Sequence, residues 1–150
     1  MFQTYGAVDG GRGDKIIYNT FKSCGYYGPV FTAHQNGLIA NNTMVDCAAG
    51  VENDDAGQLT GGIIIENNTL ACIYGYGGAD MGACAMLTGG ATPNADYTTN
   101  IVRNNSVTGI SNSLGFQGVQ GSRLIGGRNW GAKGAQYTNN VCNNGCVYTP

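Results

Sequence analysis

The sequence predicts an all-β chain wound as a solenoid, and three observations carry that expectation. Glycine and asparagine are abundant, at 26 and 17 residues, whereas proline falls to 3; the first two tolerate left-handed backbone and so signal many bends. Short runs of strand-favouring residues recur, and no stretch keeps a helical period. An Asn-containing bend separates such runs at Asn19, Asn42, Asn68, Asn105 and Asn140, in steps of 23, 26, 37 and 35 residues.

The stretch "GIIIENNTLACI", from Gly62 to Ile73, shows the unit. Two strand-like runs, Ile63–Glu66 and Thr69–Ile73, are divided by Asn67-Asn68 alone. A two-residue hairpin favours Asn-Gly or Asp-Gly because both central residues need positive φ, so Asn-Asn predicts a bend rather than a reversal. The unit returns as "GLIANNTMVDC" from Gly37, "NIVRNNSVTGI" from Asn100 and "AQYTNNVCNNG" from Ala135, with a fainter "KIIYNTFKSC" from Lys15. The cysteines keep the early period: Cys24 to Cys47 is 23 residues and Cys47 to Cys72 is 25. Strands this short cannot pair within one coil, so each is expected to pair in parallel with its equivalent about 4.8 Å away in the next. Equivalent asparagines then stack, and their amides can donate and accept along the stack instead of being buried unpaired.

Composition narrows the function classes. A chain of 150 residues reads as one domain, 1–150, long enough for a continuous core. Charged residues are 11% and hydrophobic residues 42%, which excludes a polyelectrolyte and a disordered chain. A net charge of -2 gives no electrostatic case for a nucleic-acid or membrane partner. No apolar run reaches the length of a membrane span, and Met1-Phe2-Gln3 begins no signal peptide, so any export signal is expected to lie elsewhere. The six cysteines read first as small buried hydrophobes. Disulfides are the alternative, with Cys142 and Cys146 able to close a small loop in an oxidising compartment. One histidine and no CxxC pair leave too few ligands for zinc.

The recurring "I-x-x-N-N-T-hydrophobic" pattern resembles the right-handed parallel β-helix, or pectate-lyase-like, superfamily, over about Lys15 to Val147. The resemblance implies three sheets per coil, with the Asn-rich bend between the second and third. Ile63–Glu66 would then lie in the second sheet and Thr69–Ile73 in the third. The expected fold is an all-β right-handed parallel β-helix of about five coils with an Asn ladder. "YGAVDGGRGD", Tyr5 to Asp14, resembles the "YGAxGDG" start of some members, but those continue into a helix where "KIIYNTF" reads as strand. Asn41, Asn67 and Asn104 also begin N-x-Ser/Thr glycosylation sequons; the ladder explains their recurrence more simply, with Thr or Ser opening the following strand.

The longer steps place extra residues mainly in Thr88–Thr98 and Gln120–Gly134, and loops on a rigid scaffold are where solenoids usually carry function. The second loop holds Trp130 with Arg123, Arg128 and Lys133. An exposed Trp can stack on a sugar ring and Arg can pair with a uronate carboxylate; the rival reading folds Trp130 back over the last coil. Acidic residues cluster as Glu52, Asp54 and Asp55, with Asp80 following. The resemblance implies a groove along the first sheet, which would gather His34, Glu52, Asp54, Asp55, Asp80, Gln117 and Gln120 near one ligand. Inverting glycoside hydrolysis needs an acid and a base carboxylate roughly 6.5–9.5 Å apart. A lyase needs a cation to neutralise the uronate, with Ca²⁺ the candidate cofactor, and a base for the C5 proton. The catalytic candidates are therefore Asp54, Asp55 and Asp80; Glu52, His34, Arg123, Arg128 and Trp130 are the substrate-binding candidates. Paired aspartates in a turn also read as a solvated bend, and His34 as a structural or simply exposed residue. The Asp, Asp-Asp, Gly-His and Arg-x-Lys set of polygalacturonases is missing. "GYGGAD" misses a calcium-binding repeat by one residue, and "RGD" at Arg12–Asp14 reads as chance.

Neither end of the chain offers an amphipathic helix to cover the open strand edge, which predicts a fragment of a longer chain or ends covered by partner subunits, as in a trimeric tailspike or adhesin. The expected role is carbohydrate binding or polysaccharide degradation, as a lyase or hydrolase, at an extracellular, cell or virion surface. The alternative is a non-catalytic structural or adhesive β-solenoid. An ice-binding surface would want a flat repeated Thr array, and the uneven coil lengths argue against it.

Overall fold

The structure, a computed structural model, describes residues 2–5, 11–23, 29–32, 34–45, 49–54, 61–71, 85–88, 98–108, 125–127 and 136–142. Successive passes of the chain lay down short strands. The first gives Phe2–Tyr5 (β1), Gly11–Arg12 (β2), Lys15–Ile17 (β3) and Thr20–Lys22 (β4). The second gives Pro29–Thr32 (β5), His34–Gln35 (β6), Leu38–Ala40 (β7) and Thr43–Val45 (β8). Ala49–Asp54 (β9), Ile64–Glu66 (β10) and Thr69–Ala71 (β11) follow, then Ala85–Thr88 (β12), Ile101–Arg103 (β13) and Ser106–Thr108 (β14). Ile125–Gly127 (β15), Gln136–Thr138 (β16) and Val141–Cys142 (β17) complete the set.

These strands form three five-stranded sheets: β1-β5-β9-β12-β15, β3-β7-β10-β13-β16 and β4-β8-β11-β14-β17, with β2 and β6 as a short extra pair. Pairing is parallel throughout. Parallel neighbours need a crossover connection; here the crossover is a pass through the other sheets, and no helix occurs among the described residues. The architecture is all-β with parallel sheets, compatible with a parallel β-solenoid.

Strands of three residues stand because each sends one side chain inward and stacks it on its equivalents. In the second sheet Ile16, Ile39, Ile65 and Val102 pair in register and are all buried. In the third, Phe21, Met44, Leu70, Val107 and Cys142 do the same, with Phe21 and Cys142 at the two ends only partly covered. Phe31 and Ile63 join these columns in one core. Burying each such side chain contributes about 1.5–3 kcal/mol.

Between the second and third sheets the two asparagines of each pair divide the work. The first takes the left-handed conformation that turns the corner, with φ of 56° at Asn41, 54° at Asn67, 55° at Asn104 and 52° at Asn139. Only one of the two residues has positive φ, which is why the chain bends without reversing. Asn42, Asn68 and Asn105, the second members, are each buried to 1% exposure. Both the backbone N–H and Nδ2 of Asn42 donate to Asn68 Oδ1, at 3.0 and 3.0 Å. Asn68 donates likewise to Asn105 Oδ1 at 2.9 and 3.0 Å, and Asn105 to Asn140 Oδ1 at 3.0 and 3.0 Å. Asn19 joins at the start, donating to Asn42 Oδ1 at 2.9 and 3.2 Å. The remaining amide hydrogens of Asn42, Asn68, Asn105 and Asn140 reach back to the carbonyls of Ile16, Ile39, Ile65 and Val102. Every polar side-chain atom of Asn42, Asn68 and Asn105 is thus paired, as burial demands.

A second corner precedes the second sheet. Gly13, Asn36 and Gly62, each two residues before the first strand residue, have φ of 72°, 56° and 66°. At the next equivalent position Thr99 Oγ1 accepts from the Gly62 N–H at 3.0 Å, and beside it Asn100 Oδ1 accepts from the Ile63 N–H at 3.0 Å. The uneven intervals leave the asparagine corner intact, whereas Thr99 at the second corner does not take the left-handed conformation. Leu70 pairs with Met44, 26 residues earlier, and with Val107, 37 residues later, in unbroken register. The cysteines need one correction: Cys142 is disulfide-bonded rather than simply a small core hydrophobe, and its partner lies outside the described residues.

Two consequences are measurable by urea unfolding. Asn68→Ala strips partners from buried donors on both sides and should cost about 3 kcal/mol or more, whereas Asn19→Ala, at an exposed end, should cost under about 1 kcal/mol. Tyr18 occupies the left-handed corner position with φ of 58°, so Tyr18→Asn should raise stability by about 0.5–1 kcal/mol.

Candidate functional site

The first sheet is where the acidic candidates begin. Its central strand, β9, sets Glu52 between Val30 and Leu87, and Asp54 beside Thr32. Just before Glu52 the pairing with β12 shifts by one residue: Ala49 pairs with Ala85, but Val51 with Met86. Such bulges bend a strand and commonly sit beside functional positions. Asp55, Asp80, Arg123, Arg128 and Trp130 lie outside the described residues, as do Gln117 and Gln120. Among the described residues no three His, Cys, Asp or Glu side chains gather as a metal site.

His34 is placed by packing. Its side chain has 0% exposure and stacks on the Phe31 ring, centroids 4.3 Å apart and planes 6° from parallel. Nε2 lies 3.5 Å from Asp14 Oδ2. A methyl group added at Gly37 would fall 2.8 Å from His34 Cδ2 and collide with the Phe31 ring, so a bare backbone there permits the stack. Burial holds the imidazole pKa below its ordinary 6.5, partly opposed by the Asp14 carboxylate. The ring is therefore neutral near pH 7 and sits in the core, not on an open face.

The third sheet carries an outward row that was not read from the sequence as a surface. Thr20, Thr43, Thr69 and Ser106 pair in register and are all exposed. The exposed Asn41, Asn67 and Asn104 run alongside them. The result is a strip of neutral hydroxyl and amide groups, with rows about 4.8 Å apart. Its signal was present in the recurrent Asn-Asn-Thr/Ser triplet, in which the first Asn and the hydroxyl residue face out while the second Asn is buried. Because the long intervals do not disturb this sheet, uneven coil length is no bar to a regular surface here. On the second sheet, Glu66 and Arg103 are register partners and their Oε2 and Nε atoms lie 2.7 Å apart. Both are partly exposed, so this pair adds little to stability.

The buried imidazole makes stability depend on pH. The unfolded chain takes up a proton near pH 6.5 more readily than the folded one, so stability is complete above that value and falls as pH drops below it. Urea midpoints at pH 7.5, 6.5 and 5.5 should decline in the wild type and stay flat in His34→Leu. No family model, curated protein or solved structure matches the chain.

Proposed function

We propose that the chain is a right-handed parallel β-helix of five coils with an asparagine ladder, and that it binds a polysaccharide at an extracellular, cell or virion surface. The observation that carries this reading is the exposed strip Thr20, Thr43, Thr69 and Ser106 with Asn41, Asn67 and Asn104, repeated in register. Neutral hydroxyl and amide groups on a rigid, regular surface suit a polymer that presents hydroxyls at repeating intervals. The disulfide at Cys142 supports an oxidising compartment. Depolymerisation is the extension of this reading to the first sheet. There Asp54, with Asp55 and Asp80, would act as acid, base or calcium ligands, and Glu52, Arg123, Arg128 and Trp130 would position the sugar.

The second reading is a non-catalytic structural or adhesive solenoid. It is favoured by His34, a groove candidate that is committed to core stacking on Phe31.

The discriminating experiment incubates the protein with acidic and neutral polysaccharides, with and without calcium. It follows retention on the insoluble polymers, reducing ends, and the ultraviolet absorbance of unsaturated uronate. Retention weakened several-fold by Thr43→Lys/Thr69→Lys supports binding through the third sheet. Product formation abolished by Asp54→Asn supports catalysis on the first sheet. No retention and no product with any polymer contradicts the carbohydrate reading and leaves the structural one.

A further inference from the structure

We infer that Tyr18 is a sugar-stacking residue of the third-sheet strip, and that the strip takes a neutral polysaccharide laid along the coil axis. This rests on the carbohydrate reading of that strip and adds to it a residue, a ligand class and a direction. Tyr18 is a departure from the repeat. The corners between the second and third sheets are opened by Tyr18, Asn41, Asn67, Asn104 and Asn139, with φ of 52° to 58°. Their backbone N–H groups bond alike, Tyr18 to Ala40 O, Asn41 to Glu66 O, Asn67 to Arg103 O and Asn104 to Thr138 O. Tyr18 therefore belongs to the outward row of asparagines, first in chain order.

The corner itself does not call for tyrosine. Asparagine tolerates left-handed backbone because its side chain is short and polar, whereas a bulky aromatic there is an outlier. Packing does not call for it either. Tyr18 is 77% exposed, and the ring stack among the described residues joins Phe31 and His34 instead. A strained residue that the core does not use points to a role at the surface. A tyrosine ring offers an apolar face with a polar tip, which suits the C–H face of a pyranose and leaves the hydroxyl for water or a sugar oxygen.

The surroundings set the ligand class. Thr20, Thr43, Thr69 and Ser106 run beside the Tyr18 row in register, and neither row carries a formal charge. Arg103, on the neighbouring sheet, is held by Glu66 at 2.7 Å. Lys22 is the one cation in the third-sheet strands. A polyuronate would bring a carboxylate on every ring and meet no matching row of cations, so a neutral polymer is the better complement. Strands stand about 4.8 Å apart, so the row from Tyr18 to Asn139 extends about 19 Å across them. A polymer running along the coil axis meets the ring at Tyr18 and then hydroxyl and amide groups at each pass.

Tyr18→Asn separates binding from stability, because it restores the residue that the corner favours while it removes the ring. The test measures retention on cellulose, chitin and mannan, and retardation in gels containing pectate or alginate, for proteins shown to be folded by circular dichroism. The wild type should bind at least one neutral polymer, and Tyr18→Phe should bind it within about twofold of the wild type. Tyr18→Asn should bind it roughly fivefold more weakly even though its urea midpoint rises. Tyr18→Asn binding like the wild type, while Thr43→Lys/Thr69→Lys binds weakly, overturns the role of Tyr18 and leaves the strip reading standing. Equal loss in Tyr18→Phe and Tyr18→Asn overturns the stacking, and retardation by the acidic polymers alone overturns the neutral class. A wild type that binds none of the polymers overturns the carbohydrate reading and this inference with it.

Discussion

The sheets depend on the hydrogen bonds that run through the buried asparagines. A coil whose strands are three residues long cannot satisfy its own corner, because the bend turns N–H and C=O groups away from any strand partner. Asn42, Asn68 and Asn105 answer this by taking a backbone donor and an amide donor into one Oδ1 and returning their own hydrogens to both neighbouring passes. Aspartate would lose the donors and leucine would lose everything polar. Serine is too short to span both neighbours. The amide is the side chain that can accept along the stack and donate in both directions.

Register follows from that column. Once the corners are pinned, the residue three places before each buried asparagine and the residue two places after it stack on their equivalents, which is how Ile39, Ile65 and Val102 meet in one sheet and Met44, Leu70 and Val107 in the next. A slip of one residue would turn these inward side chains to solvent. The extra residues of the longer passes lie between the pinned corners, so length can vary elsewhere without disturbing the core. The same arrangement gives the hydrogen bonds one direction along the stack.

Much of this was legible because it repeats. The buried asparagines, the flanking apolar residues and the parallel pairing all announce themselves through the Asn-Asn-Thr/Ser triplet. The second corner was not legible, since Gly13, Asn36 and Gly62 meet the same φ requirement with different residue types and so leave no motif. His34 was misleading for a different reason. A lone histidine in "VFTAHQNG" carries no sign that Phe31 stacks on it or that Gly37 leaves room for the stack. The state of Cys142 was equally hidden, because spacing does not distinguish a thiol from half of a disulfide. Of the site candidates, Glu52 and Asp54 fall in β9 of the first sheet. A catalytic set would need side chains brought together from distant passes, which no local pattern encodes.

Amide hydrogen exchange at the corners tests the central claim most directly. The backbone N–H groups of Asn42, Asn68 and Asn105 belong to no strand, yet each donates to a side-chain Oδ1 in the next pass. They should exchange as slowly as the strand amides of Ile39, Ile65 and Val102, opening only with global unfolding. Exchange of these three at the rate of exposed bends, while the strand amides stay protected, would show that the sheets hold without the asparagine column and would contradict the account.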